Sequence, residues 1–303
     1  MGVDVVIVGG GPAGLSAALV LGRARKTVVL VDDAGTARNG AAPAVHGLLG
    51  HDGIAPAELR RLGHGDLARY PDVSRVATRA VALERGAAGR VRVELADGSA
   101  PEARRVLLAC GLVDALPKIP GLRERWGGGA FSCPFCHGWE ARDRVWGVLA
   151  LQKAMLEAVP LADTWTKEVI VFTNARTDLD PAALAALVRG GARIEPRAVV
   201  GLAGEGDRID HVEVSSGAGT ERVACGALWL RPAQRHVDLV LYAGLALDEE
   251  GLVRVGADHE TSMGGVHACG DMASGAHPHA IEAAASGARA AVDLVPLLAD
   301  VLR

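Results

Sequence analysis

Hydrophobic positions along this chain come in short blocks separated by glycine-rich turns. Residues 3–8 form an apolar run broken only by Asp4, and it stops at Gly9-Gly10-Gly11-Pro12-Ala13-Gly14. Residues 15–23 then carry helical spacing, and 27–31 are a second β-branched run ending at Asp32-Asp33. Apolar runs of this kind suit strands buried on both faces, so the opening predicts a βαβ unit. From 75 to 108 the runs shorten and alternate, with turn signals at Arg85-Gly86 and Asp97-Gly98, which predicts a β-meander. Residues 106–111 predict a strand that returns to the first sheet. Two prolines and a glycine in 116–121 mark a crossing into a second domain. There, 144–151 and 167–174 read as strands flanking a helix, 181–188 as another helix, and 198–230 as several short strands. Arg231-Pro232 marks the way back. The last stretch predicts strands at 252–255 and 266–268, a turn at Gly270-Asp271 and a helix from about residue 279 to 294. The expected fold class is α/β with two Rossmann-like three-layer domains. Residues 1–115 and 232–303 form one, and 116–231 are a central domain inserted between its halves.

Composition narrows the class. The 303 residues are 50% hydrophobic, with 32 basic and 36 acidic side chains and a net charge of −4, enough chain for two cores without disulfide or metal staples. The 28 arginines and 4 lysines are scattered, so no cationic face for nucleic acid is expected. No apolar stretch reaches the ~18 residues that span a bilayer. The N-terminus lacks a basic region leading into a cleavage site, so a cytoplasmic location is expected, with neither a nucleic-acid nor a membrane partner. Five cysteines follow no disulfide-framework spacing, and in a reducing compartment a close pair among them points to redox chemistry or metal binding.

Gly9, Gly11 and Gly14 complete a G-x-G-x-x-G between strand and helix, and Asp32 lies 18 residues past the last of them. In this context the spacing is that of a dinucleotide site. Gly11 lets backbone approach a pyrophosphate at the helix N-terminus, Gly14 lets helix and strand pack closely, and Asp32 accepts from ribose hydroxyls. The second group with chemical content is Cys133-Pro134-Phe135-Cys136-His137. Thiols at i and i+3 share one face of a helical turn, close enough to cycle between dithiol and disulfide, and a helix start beside an imidazole favours a thiolate. The same letters also match c-type haem attachment, which belongs to exported proteins. A zinc site would need a second ligand pair that the sequence does not supply, and incidental burial of both cysteines stays open. Cys110, Cys225 and Cys269 sit in apolar runs and are expected to be inert.

On these residues, together with Ala109-Cys110-Gly111 and the terminal Gly270-Asp271, the chain resembles the low-molecular-weight thioredoxin reductases over nearly its whole length. The resemblance implies that the N- and C-terminal segments bind FAD and that the central one carries the redox cysteines. It places Gly9, Gly11, Pro12, Ala13, Gly14, Asp32, Asn39, Gly111, Gly270 and Asp271 at FAD, with His279, Ala280 and Ile281 at the helix start facing the flavin. It implies that Cys136 faces the isoalloxazine ring, that Cys133 meets the substrate, and that the protein is a homodimer. One departure stands out. Where the reductases carry G-x-G-x-x-A for NADPH, this chain has Leu149, Leu151 and Ala154, and the basic pair for the 2′-phosphate is replaced by Thr173-Asn174-Ala175, with Arg176 nearby. Leucine side chains are expected to fill the pyrophosphate's approach.

The stretch from Cys133 to Glu140, with His137-Gly138-Trp139-Glu140, further resembles the thioredoxin-reductase-like dithiol oxidases of gliotoxin, holomycin and romidepsin-type pathways. That resemblance implies an FAD-dependent enzyme that closes a disulfide in a small-molecule dithiol, with O₂ as terminal acceptor and no NADPH. Cys133 and Cys136 would be its catalytic pair and His137 the base for the substrate thiols. The alternatives are a thioredoxin reductase fed by NADPH or a protein donor, and a non-catalytic FAD-binding redox sensor.

Overall fold

The computed structural model describes residues 2–33, 35, 37–217, 219–273 and 278–299. The chain divides into two compact units. The first comprises residues 1–40, 47–113 and 235–303, the second 41–46 and 114–234. These limits differ from the expected ones by a few residues, and 41–46 joins the second unit unforeseen. The reason is close packing there. A Cβ on Gly127 would lie 2.8 Å from the main chain of Ala41 and Ala42, and His46 Nε2 is 3.5 Å from the Glu140 carboxylate.

In chain order the elements are β1 (Val3–Val8), α1 (Pro12–Arg23), β2 (Val28–Val31), α2 (Pro56–Leu67), β3 (Val73–Val76), β4 (Ala80–Arg85), β5 (Val91–Leu95), β6 (Glu102–Leu108) and β7 (Val113–Ala115). Then follow α3 (Leu122–Arg125), β8 (Ala130–Phe131), α4 (Pro134–His137), β9 (Trp146–Leu149), α5 (Ala154–Ala158), β10 (Val169–Phe172) and α6 (Pro181–Arg189). The chain continues through β11 (Arg193–Glu195), β12 (Val199–Ala203), β13 (His211–Ser216), β14 (Gly219–Ala224), β15 (Ala227–Trp229), β16 (Ala233–Arg235), α7 (Asp238–Tyr242), β17 (Val266–Ala268) and α8 (Ala280–Leu297).

The first unit is built on a sheet ordered β3-β2-β1-β6-β5-β4, with β17 also paired to β6. The β1, β2, β3, β6 and β17 pairings are parallel, and β4-β5-β6 is the antiparallel meander. Because strand side chains alternate, Val5 and Ile7 join one core with Leu21, Leu107, Ala290 and Leu294, while Val6 and Val8 join another with Val31, Val106, Leu108 and Val266. Both faces of β1 are therefore covered, which is why its sequence is apolar almost throughout.

The second unit has a five-stranded parallel sheet, β11-β10-β9-β15-β8, and a three-stranded antiparallel sheet, β12-β13-β14. Leu149, Ile170, Phe172 and Leu228 pack on Val199, Leu202, Val212 and Val214 of the antiparallel sheet. Trp146, Val148, Val171 and Trp229 pack on Met155, Leu156, Leu184 and Leu187 of α5 and α6.

Three expectations about elements change. Residues 252–255 form no strand: Gly251, at φ +80°, turns the chain, and Val253 makes only a single bridge to Leu247. The helix expected between β9 and β10 is short, because Pro160 cannot extend α5 and 159–164 tighten into a 3₁₀ turn. Helix α2, not foreseen at all, starts with Pro56 in its first turn and Glu58 close behind, a favourable N-terminal pattern. Among the described residues no helix is long and apolar enough to cross a membrane.

Candidate functional site

In the first unit the glycine turn is shaped by close approach. Gly9 has φ +110°, and a Cβ there would lie 2.4 Å from the Ala109 carbonyl oxygen on the returning strand. A Cβ on Gly14 would lie 1.8 Å from the Gly9 carbonyl oxygen, so the first turn of α1 sits directly on the turn before it. Gly11 is different, since among the described residues no heavy atom lies within 4 Å of where its Cβ would be. It is the N-cap of α1, with no side-chain cap and Pro12 following, so the first N–H groups of this helix are offered outward.

The C-terminal segment meets this turn. Gly270, at φ +72°, places its missing Cβ 3.1 Å from Ala13 Cβ, and its N–H donates to Ser286 Oγ at 3.0 Å. A Cβ on Gly287 of α8 would lie 1.9 Å from the Ala13 carbonyl oxygen. Residues 9–14 and 270–271 are thus brought together, as a shared dinucleotide cradle requires. Asp271 accepts from Arg38 Nη1 at 3.0 Å, and Asn39 lies beside Arg38 in a 3₁₀ turn, half-buried. Gly111, at φ +62°, follows the returning strand. His279 is the extended N-cap of α8, and Ala280 and Ile281 are its first residues. His277, next to them, lies outside the described residues.

Asp32, at the end of β2, is 3% exposed. It accepts from the Gly10 N–H at 3.1 Å and from Arg60 Nη2 through both oxygens, at 2.8 and 2.7 Å. His64 Nε2 and Arg75 Nη2 stand 3.6 and 3.8 Å from it. Burial, and then the Arg75 charge, lower the His64 pKa against the pull of Asp32. None of Arg38, Arg60, His64, Arg75 or Gly287 was foreseen. The only local trace is the i, i+4 spacing of Arg60 and His64 on one face of α2.

The second unit carries the sulfur chemistry. Cys133 and Cys136 are joined as a disulfide, their Cα atoms 5.3 Å apart. The helix that follows Cys133 is a single turn, so a long-helix dipole is not what acts on the sulfur. Instead Cys133 Sγ accepts from the Cys136 N–H at 3.1 Å. His137 Nε2 lies 3.0 Å from the Gly127 carbonyl oxygen, so this nitrogen carries the proton, and the ring stacks on Phe131 at 5.4 Å. Burial lowers the His137 pKa, opposed by the Cys133 and Gly127 backbone and the Glu140 carboxylate. Nδ1 is therefore the ring's lone-pair nitrogen, and it is buried without a hydrogen-bond partner. Gly138 explains its place in the motif, since a Cβ there would lie 2.5 Å from the Pro134 carbonyl oxygen and 2.7 Å from the Trp165 ring. Trp165 also meets Phe135 edge-on at 5.4 Å and stacks on Trp146 at 5.8 Å. Phe135 and Trp139 are 57% and 66% exposed, giving the redox turn two apolar neighbours on its outer side.

The turn after β9 is closed from within. Leu149 points into the core and is fully buried, so it does not fill the approach as expected. The closure comes from Arg176, whose Nη1 donates to the Leu151 carbonyl and, at 3.4 Å, to that of Ala150, while Nε and Nη2 clasp the Asp178 carboxylate at 2.9 and 2.7 Å. The arginine near the expected 2′-phosphate position is thereby committed to the protein itself. Cys110 and Cys269 have their thiol pKa values pushed up to about 12 by burial, and Cys225 to about 11, which leaves these three as inert thiols.

Residues 3–154, half of the chain, match the family model described as pyridine nucleotide-disulphide oxidoreductase. The chain belongs to this family. Within it, the chain is 36% identical over 178 residues to a probable thioredoxin reductase of Arthroderma benhamiae, a match covering 56% of this chain and 43% of that protein. It is 30% identical over 284 residues to thioredoxin reductase sirT of Leptosphaeria maculans, covering 89% of this chain and 86% of the relative. The crystal structure of HlmI superimposes with a TM-score of 0.89 at 33% identity, covering 98% and 92% of the two chains. The protein is thus a thioredoxin-reductase-like flavoprotein oxidoreductase whose cofactor is FAD. Its own geometry fits that cofactor: side chains are excluded at Gly9, Gly14 and Gly287 by neighbouring carbonyls, while Gly11 and the α1 N-terminus present bare backbone where a pyrophosphate binds.

Proposed function

We propose that this oxidoreductase is a dithiol oxidase: it closes a disulfide in a small-molecule dithiol of the natural-product type, passes the electrons to O₂ and does not use NADPH. The observation that carries this reading is the Arg176 clasp on the Ala150–Leu151 carbonyls and Asp178, which sets main-chain acceptors and an ion pair where a nucleotide phosphate would need donors. A substrate thiolate attacks Cys133 Sγ, the Cys133–Cys136 bond breaks, and Cys136 leaves as thiolate. The second substrate thiolate then attacks the substrate sulfur bonded to Cys133. The product disulfide forms and Cys133 departs, its thiolate stabilised by the Cys136 N–H that already faces it. In sum, two electrons and two protons move from substrate to the enzyme pair. His137, half-buried and directly following Cys136, is the candidate base for the substrate thiols. Gly11, the α1 N-terminus, Asp32, Gly270 and Asp271 would hold FAD, and FAD when bound supplies the two-electron acceptor that returns the pair to the disulfide and reduces O₂ to peroxide.

The names of the relatives favour a second reading, reduction of thioredoxin. An anaerobic bleaching assay separates the two. In the oxidase reading a small dithiol bleaches the flavin, NADPH does not, and air restores the colour with one peroxide per dithiol. Rapid bleaching by NADPH, or turnover with thioredoxin, refutes it.

A further inference from the structure

Asp32 stands at the end of β2 where a dinucleotide's adenosine ribose is read, yet its carboxylate is largely occupied by protein. Gly10 N–H holds Oδ1 at 3.1 Å, and Arg60 Nη2 holds both oxygens at 2.8 and 2.7 Å. A carboxylate offers about four acceptor directions, so these three contacts leave roughly one for a ligand. The position is also sterically pinned, because a Cβ on Gly10 would meet the Asp32 carboxyl carbon at 2.2 Å. Arg60 reaches in from α2 with its side chain 13% exposed, and His64, one turn further along the same helix, and Arg75 of β3 stand behind Oδ2 at 3.6 and 3.8 Å. A buried ion pair is a poor way to add net stability, so this one calls for another reason.

We propose that Arg60 is a positioning residue for FAD: by clasping Asp32 against the Gly10 N–H it fixes the direction in which the remaining carboxylate lone pair meets the adenosine ribose. The proposal rests on the reading that Asp32 accepts from that ribose. It gives α2 a task in cofactor binding, carried by a residue that need not touch the cofactor.

The test uses the full-length chain, reversibly stripped of flavin, as wild type, Arg60→Gln, Arg60→Lys, Asp32→Asn and Arg60→Gln/Asp32→Asn. Each is titrated with FAD, with ADP as the adenosine half and with FMN as the flavin half, and apoprotein Tm is followed alongside. Arg60→Gln is expected to weaken FAD and ADP about tenfold while leaving FMN within about twofold. Arg60→Lys recovers part of the loss, since it restores the charge but not the forked geometry. On the Asp32→Asn background, Arg60→Gln then changes FAD affinity by less than about twofold. Equal weakening of ADP and FMN, or an undiminished Arg60→Gln effect on the Asp32→Asn background, overturns the proposal and leaves Arg60 a structural residue. Unchanged ADP and FAD binding by Asp32→Asn refutes the reading beneath it, whatever Arg60 does. Should Arg60→Gln fail to fold, Arg60→Lys alone and on the Asp32→Asn background decides by the same comparisons.

Discussion

Gly11 and Gly14 lie three residues apart, yet the structure assigns them opposite reasons for lacking a side chain. A methyl group on Gly14 would sit 1.8 Å from the Gly9 carbonyl oxygen, main chain against main chain, with no flexible side chain to give way. Relieving it moves the first turn of α1 by roughly 1 Å, and overpacking of that kind costs about 1–3 kcal/mol or more. For a unit of this size that lowers apoprotein Tm by about 2–12 °C. At Gly11 the backbone, φ −77° and ψ −175°, suits any residue, and among the described residues no atom lies within 4 Å of the added methyl. The weaker N-cap costs a few tenths of a kcal/mol up to about 1 kcal/mol, and the stiffer unfolded chain returns about as much, so Gly11→Ala leaves apoprotein Tm nearly unchanged. Its effect appears with cofactor. Losing one charge-assisted N–H contact to a phosphate costs about 1.5–3 kcal/mol, weakening FAD by about 10- to 150-fold. Thermal melts of apoprotein and a flavin-fluorescence titration measure the two quantities. Gly11→Ala with wild-type FAD affinity, or Gly14→Ala with a wild-type apoprotein melt, would refute the division of labour drawn here.

Other consequences are as direct. Cys136→Ser lets a substrate thiolate form a mixed disulfide at Cys133 only by way of an added activated disulfide, whereas Cys133→Ser forms none at the substrate-facing position. Peptide-level mass spectrometry after treatment with a small activated disulfide should find the adduct on Cys133 in the first variant and none at position 133 in the second, and anaerobic bleaching by dithiol should be lost in both; bleaching that survives either substitution would refute the role of the pair. Gly138→Ala pushes the redox turn against Trp165 and the Pro134 carbonyl, and a misplacement of about 1 Å should slow dithiol oxidation by up to about 100-fold while FAD affinity stays the same. Burial lowers the pKa values of His137 and His267, and of His64 together with the neighbouring arginine charge. The unfolded chain therefore binds more protons than the folded one below pH about 6.5, so stability falls as pH drops through that value. His267 is fully buried with Nε2 lacking a partner, so His267→Gln should flatten the decline of Tm between pH 7.5 and 5, and an unchanged slope would sink the assignment.

The parts of this fold legible in the sequence are those in which local pattern and tertiary burial agree. Residues 3–31 could be read because β1 is covered on both faces and because the glycines report backbone approach directly. Residues 252–255 look equally strand-like, but β-branched composition does not reveal whether a neighbouring ladder exists, and here the main-chain bonds go to a turn and to Met272, with a single isolated bridge at Val253. Helix α2 escaped notice because it buries little, with only Pro56 and Leu67 fully inside. The cysteine pair announced itself by spacing, whereas the clasp of Arg60 on Asp32 spans 28 residues and that of Arg38 on Asp271 spans 233, distances over which no local pattern carries information. Leu149 and Leu151 mark where the turn after β9 departs from the reductase pattern, but Leu149 turns into the core rather than the approach, and it is Arg176 that bonds to the carbonyls of that turn.

Strand β6 has one further implication, for the order of assembly. Its N-terminal end pairs with β5 and its C-terminal end with β17, so one strand is edged partly by a neighbour made just before it and partly by one made some 150 residues later. During synthesis residues 114–234 emerge as a nearly continuous unit with their own sheet and core. The flavin unit, by contrast, waits with Val106 and Leu108 and one flank of α1 uncovered until 266–297 arrive. Of the two units, the one whose first strand precedes the other in the sequence is thus the one that closes later, and its cradle, which needs Gly270 and Gly287 against Ala13, exists only once residues 266–297 have been made.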